Sequence, residues 1–93
     1  MWYVILTMEI RFTKHAIDKF AILRRHGLII LKEKVIGTVE KPNFLDYSRF
    51  PLLIAQSDFD RNRVLRVVYK IVRQTMVIIT FYPGKKSQYE KRK

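Results

Sequence analysis

The sequence predicts an α+β fold in which an N-terminal strand and two helices pack on one face of a C-terminal antiparallel sheet. Three observations predict it. Strict apolar alternation opens the chain. Apolar residues spaced by three and four follow it, with a capping residue before them and a glycine after. From Phe44 onward, short runs rich in β-branched and aromatic residues are separated by turn-forming residues. Helices segregated from a run of strands mean α+β, not a doubly wound sheet.

The first strand spans residues 2–12. Trp2, Val4, Leu6, Met8, Ile10 and Phe12 share one face, and Tyr3, Ile5, Thr7, Glu9 and Arg11 the other. Residues 1–7 form an extension that is dispensable if the chain starts at Met8. Thr13 caps a helix from Lys14 to about His26, its hydroxyl accepting from a free first-turn amide. Ala16, Ile17, Phe20 and Leu23 form the buried stripe, and Gly27 ends the helix. Leu31, Val35, Ile36 and Val39 space a second helix over residues 32–40, although Gly37 and the β-branched residues leave a strand as the competing reading. Residues 44–48 and 52–57 are short strands around Pro51.

The two best strands follow. Leu65, Val67, Tyr69 and Ile71 make an apolar face, with Val64, Arg66, Val68, Lys70 and Val72 opposite. In the next strand Val77, Ile79 and Phe81 share one face, and Met76, Ile78, Thr80 and Tyr82 the other. Residues 73–75 lack an Asn-Gly type pair, so a loose turn is expected, and Pro83-Gly84 should end the second strand. Residues 90–93 form a basic tail, expected to be mobile.

The whole, residues 1–93, is one domain, and 48% hydrophobic content argues against disorder. No cysteine is present, which excludes disulfides, thiolate zinc sites and cysteine nucleophiles and fits a cytoplasmic location. No apolar run approaches the roughly 20 residues of a membrane span, and residues 2–7 lack the flanks of a signal peptide. Membrane partners are therefore not expected. Two histidines eleven residues apart give no zinc spacing, and Asp58 and Asp60 have no third ligand after them, so no metal or cofactor is expected either. The charge is +11, from 19 basic and 8 acidic residues, and residues 58–93 carry 10 of the former and 3 of the latter. Such a domain reads as a binder of polyanions, because each neutralised phosphate releases counterions.

Several pieces resemble an archaeal and bacterial family of small domains of unknown function, distant relatives of the RelE/ParE-like toxin superfamily. They are FTKHA (Phe12 to Ala16), RRHG (Arg24 to Gly27), KEKVIGTVEKP (Lys32 to Pro42), IAQ (Ile54 to Gln56), VLRVVY (Val64 to Tyr69) and VIITFYPGKKSQYE (Val77 to Glu90). The resemblance implies a RelE-like toxin of a type II toxin–antitoxin system, either a metal-independent mRNA endoribonuclease or a translation inhibitor. Its partners would be RNA, on or off the ribosome, and a silencing antitoxin. RNA cleavage needs a base for the 2′-OH, a cation for the phosphorane and an acid for the leaving 5′-oxygen. The resemblance implies that Arg, Lys and Tyr suffice, which makes Arg66, Tyr82 and Lys85 catalytic candidates. His15 joins them because imidazole transfers protons near neutrality, and Lys70, Arg73, Lys86, Tyr89 and Arg25 are the candidates for binding RNA. The plain alternatives stand beside it: solvated strand cations at Arg66 and Lys70, an edge-closing Tyr82, a capping or packing His15. Two other functions fit the same face: a non-catalytic nucleic-acid-binding module, or an interaction domain that forms a homodimer or meets an acidic partner.

Overall fold

The structure, a computed structural model, describes residues 2–5 and 8–90. In chain order it runs β1 (Trp2–Ile5), β2 (Met8–Phe12), α1 (Lys14–Arg25), α2 (Lys32–Glu40), β3 (Phe44–Asp46), β4 (Leu53–Asp58), β5 (Arg63–Val72), β6 (Thr75–Lys85) and α3 (Lys86–Tyr89). The strands form one six-stranded sheet in the order β1-β2-β6-β5-β4-β3. The α+β class and both long helices are as the sequence predicts.

The sheet is mixed, not antiparallel. Strand β2 runs parallel to β6, with Ile10 beside Met76 and Phe12 beside Ile78, and every other pairing is antiparallel. The N-terminal strand thus lies within the sheet instead of packing on it. A parallel pairing needs a long crossover, and the intervening helices and strands provide it. The expected strand over residues 2–12 is two strands, with Trp2 paired to Arg11 and Ile5 to Met8. The register sets Val4 beside Glu9 and Tyr3 beside Ile10, so the single alternation expected over residues 2–12 does not carry through the reversal.

Thr13 caps α1 as expected, the Ala16 amide donating to its Oγ1 at 3.1 Å. Gly27 follows with φ +84°, a left-handed conformation that glycine adopts without strain. Helices α1 and α2 cover one face of the sheet. Ala16, Val35 and Val39 bury there against Ile10, Phe12, Leu65, Val67, Tyr69, Ile78 and Phe81. Phe20 packs its ring 4.6 Å from that of Phe81. Leu31, expected in this core, is exposed at the N-cap of α2.

A β-bulge changes the second half of the β5–β6 register. Val68 pairs with Thr80, but Tyr69 pairs with Ile78, so Ile79 is the extra residue. Met76 and Ile78, expected on the open face, therefore join the core under the helices, and Val77 takes the other face opposite Lys70. The turn between these strands is tight. Val72 pairs with Thr75, and Arg73 adopts φ +59°. Strand β6 also continues through Pro83 and Gly84 to Lys85. Strand β2 covers β6 only as far as Ile78, so Pro83 lies on an edge where a missing donor costs no ladder bond. The chain then turns into α3, and the Glu90 amide donates to the Lys86 carbonyl at 2.8 Å. The basic tail's remaining residues, 91–93, lie outside the described ones, as do residues 1, 6 and 7 of the N-terminal extension. No helix among the described residues is long and apolar enough to cross a membrane.

Candidate functional site

The sheet face away from the helices carries the site. Its centre is Arg66, midway along β5 and flanked in register by Gln56 of β4 and Tyr82 of β6. Only 4% of Arg66 is exposed. Its Nε–H donates to Tyr82 Oη at 3.0 Å, Nη1–H to Gln56 Oε1, and Nη2–H to Asp46 Oδ2 at 2.8 Å. The Tyr89 ring covers the guanidinium, its centroid 4.2 Å from Cζ, which is cation–π distance. Gly84 makes that stacking possible. A Cβ there would fall 2.8 Å from Tyr89 Cδ2 and closer still to Cε2.

Asp46 is held from two sides. The Ser48 amide donates to its Oδ1 at 2.8 Å. Hydrogen bonds from Ser48, with the Arg66 bond and charge behind them, bring its carboxyl from 3.8 down to about 2. At Arg66, burial opposes the charged form, but the bonds to Tyr82 and Asp46 outweigh it and raise the pKa.

Around this network lies a cleft of about 300 Å³. Leu52, Ile54 and Val68 supply aliphatic lining, Tyr82 and Tyr89 aromatic lining, and Asp46, Ser48 and Arg49 polar groups. The cleft suits a flat ligand with polar edges. Because Tyr82 Oη accepts from Arg66, its own O–H proton remains to donate elsewhere.

The candidate residues therefore separate into groups. Arg66, Tyr82 and Tyr89 meet at the cleft. Lys85 and Lys86 line a second cleft, at the corner where the β4–β5 turn meets α3. Lys70 is exposed four residues along β5 from Arg66, roughly 13 Å at strand rise. Arg73 is exposed at the hairpin tip. His15 and Arg25 lie on α1, across the sheet from Arg66. The single site uniting His15 with Arg66 and Tyr82 is not formed, because a helix packed on one face cannot supply a side chain to the other.

Asp46, Gln56 and Arg49 were not among the residues the sequence singled out. Asp46 is the lone acid between Lys41 and Ser57, which was the available signal. Gln56 stands beside Arg66 only once the β4 register is known. Among the described residues no group of three or more His, Asp or Glu could hold a metal ion. Comparison with protein-family models, curated proteins and solved structures finds no match.

Proposed function

We propose that this chain is a toxin-like, RNA-directed protein of a type II toxin–antitoxin system, and that it blocks translation by holding single-stranded RNA on the open face of its sheet. The observation that supports this reading is the state of Arg66. Its charge is compensated by Asp46, and three of its donors are engaged. Such a guanidinium fixes Tyr82 and Tyr89 in place more readily than it stabilises a phosphorane. What remains available is a cleft with two oriented aromatic rings, aliphatic lining and Arg49, on a protein of charge +11. Stacking of bases on aromatics beside a basic surface is how single strands are held. The partners under this reading are messenger RNA, on or off the ribosome, and a neutralising antitoxin.

One observation favours the cleaving alternative. The free Tyr82 O–H is placed to donate a proton, as the leaving 5′-oxygen requires. The base is the missing group, since His15 lies across the sheet.

Induced expression in bacteria, with growth and transcript ends followed together, tests both readings. The expected result is growth arrest with intact transcripts, relieved by Tyr89→Ala. Cut transcripts that become whole in Tyr82→Phe would replace binding with cleavage. Normal growth with the soluble, folded protein present would overturn the toxin reading.

A further inference from the structure

We propose that the corner between the β4–β5 turn and the β6–α3 junction is a phosphate-binding site, separate from the Arg66 cleft. Arg61, Arg63, Lys85 and Lys86 converge there on a cleft of about 580 Å³, and Asp60 is the acidic residue that lines it.

The charges are only partly compensated. Asp60 Oδ2 accepts from Arg63 Nε at 2.9 Å and Nη2 at 2.7 Å. Lys86 Nζ is 3.8 Å from Asp58 Oδ1. Arg61 and Lys85 have no acidic partner among the described residues. Arg63 and Lys85 are also directly paired across strands β5 and β6. Like charges opposite one another destabilise a sheet, and an anion between them attracts both and offsets that repulsion.

The frame is rigid. The Lys86 amide donates to the Asn62 carbonyl at 2.9 Å and ties the two walls together. Asp60 Oδ1 accepts the Asn62 and Arg63 amides at 3.0 and 2.8 Å. The Arg63 guanidinium lies over the Phe59 ring, 5.4 Å from its centroid. Cations held on fixed backbone, with hydrogen-bonding capacity left over, suit a phosphate group. That phosphate belongs either to an RNA backbone or to a phosphorylated small molecule. The first source rests on the RNA-directed reading above, and the second does not.

The test uses the full chain in an NMR titration with inorganic pyrophosphate and, separately, with hexauridylate. The variants are Arg61→Gln/Lys85→Gln, both at exposed positions, and Tyr89→Ala. In the wild type the amides of residues 61–63 and 85–87 should shift and saturate with at least one of the two probes. The double variant should bind that probe at least tenfold more weakly. For hexauridylate its log–log salt slope should also fall by about 0.7 for each phosphate that is no longer neutralised. Weakening for hexauridylate alone identifies an RNA backbone as the source, and weakening for pyrophosphate alone a small phosphate ligand. If neither probe moves these amides, or the double variant binds both as tightly as the wild type, the site is overturned. Hexauridylate affinity lost in Tyr89→Ala but unchanged in the double variant would remove the corner as an RNA site and leave the Arg66 reading standing. The opposite pattern would do the reverse.

Discussion

Arg63 and Arg66 stand three residues apart on one strand, and each donates to an aspartate. The Arg63–Asp60 pair closes at 2.7 Å and the Arg66–Asp46 pair at 2.8 Å. Their surroundings differ. The side chains of the first pair are 42% and 38% exposed, those of the second 5% and 20%. An ion pair in water contributes about 0–1 kcal/mol. Removing one member of a buried pair costs about 3–5 kcal/mol, because the other charge is left without compensation. Bond length therefore does not separate a structural arginine from a recruitable one. Burial and the number of partners do: Arg66 is enclosed with three side-chain acceptors and Arg63 is partly exposed with one, so Arg66 is part of the framework while Arg63 is open to a ligand.

The strongest way to break this contrast is to delete each guanidinium in turn. Arg66→Ala should lower stability by about 3–5 kcal/mol in chemical denaturation and Arg63→Ala by less than about 1 kcal/mol. Equal losses would mean that the two pairs are energetically alike. Acid provides a second route. Asp46 titrates near 2 in the folded chain against an ordinary 3.8, so the unfolded state takes up its proton first as pH falls. The stability it contributes is complete above about pH 4 and is lost progressively toward pH 2. Asp46→Asn should flatten that part of the stability profile, and an unchanged profile would show that Asp46 is not the titrating group.

A gentler perturbation separates the ring from the charge. Gly84→Ala should push Tyr89 off Arg66 with a loss of about 1 kcal/mol. The Arg66 Nε–H resonance should then shift as the ring current is removed, and an unmoved resonance would mean that α3 accommodates the methyl group without unstacking. The smallest expected effect is that of Asp60→Asn. Stability should hardly change, since the pair is exposed, while pyrophosphate binds more tightly because Arg63 is released. Weaker binding would show that Asp60 orients Arg63 for the ligand instead of competing with it.

Much of this arrangement was legible in the sequence wherever a local rule operates. Thr13 and Gly27 mark the ends of α1, and the apolar Leu65–Val67–Tyr69 face follows from alternation. The bulge at Ile79 was not legible, since the run from Val77 to Phe81 is apolar at four of five positions and gives no sign of which face each belongs to. Pro83-Gly84 carries a stop signal that a sheet edge overrides. Arg66 was readable as a central cation. Its burial depended on Asp46, Gln56 and Tyr89, which arrive from three other elements, and no local pattern announces them.

The β2–β6 pairing carries a consequence for how the chain is made. Ile10 finds its partner strand only when Met76 is available, and the two are separated by α1, α2 and three strands. At about 5–20 residues per second, ribosomal synthesis puts several seconds between the two strands. During that interval β2 has one unsatisfied edge, and Ile10 and Phe12 have no sheet to complete their core. The newborn chain is therefore most exposed to chaperones, proteases and neighbouring chains at its first strands, and the last hairpin to emerge is the one that shelters them.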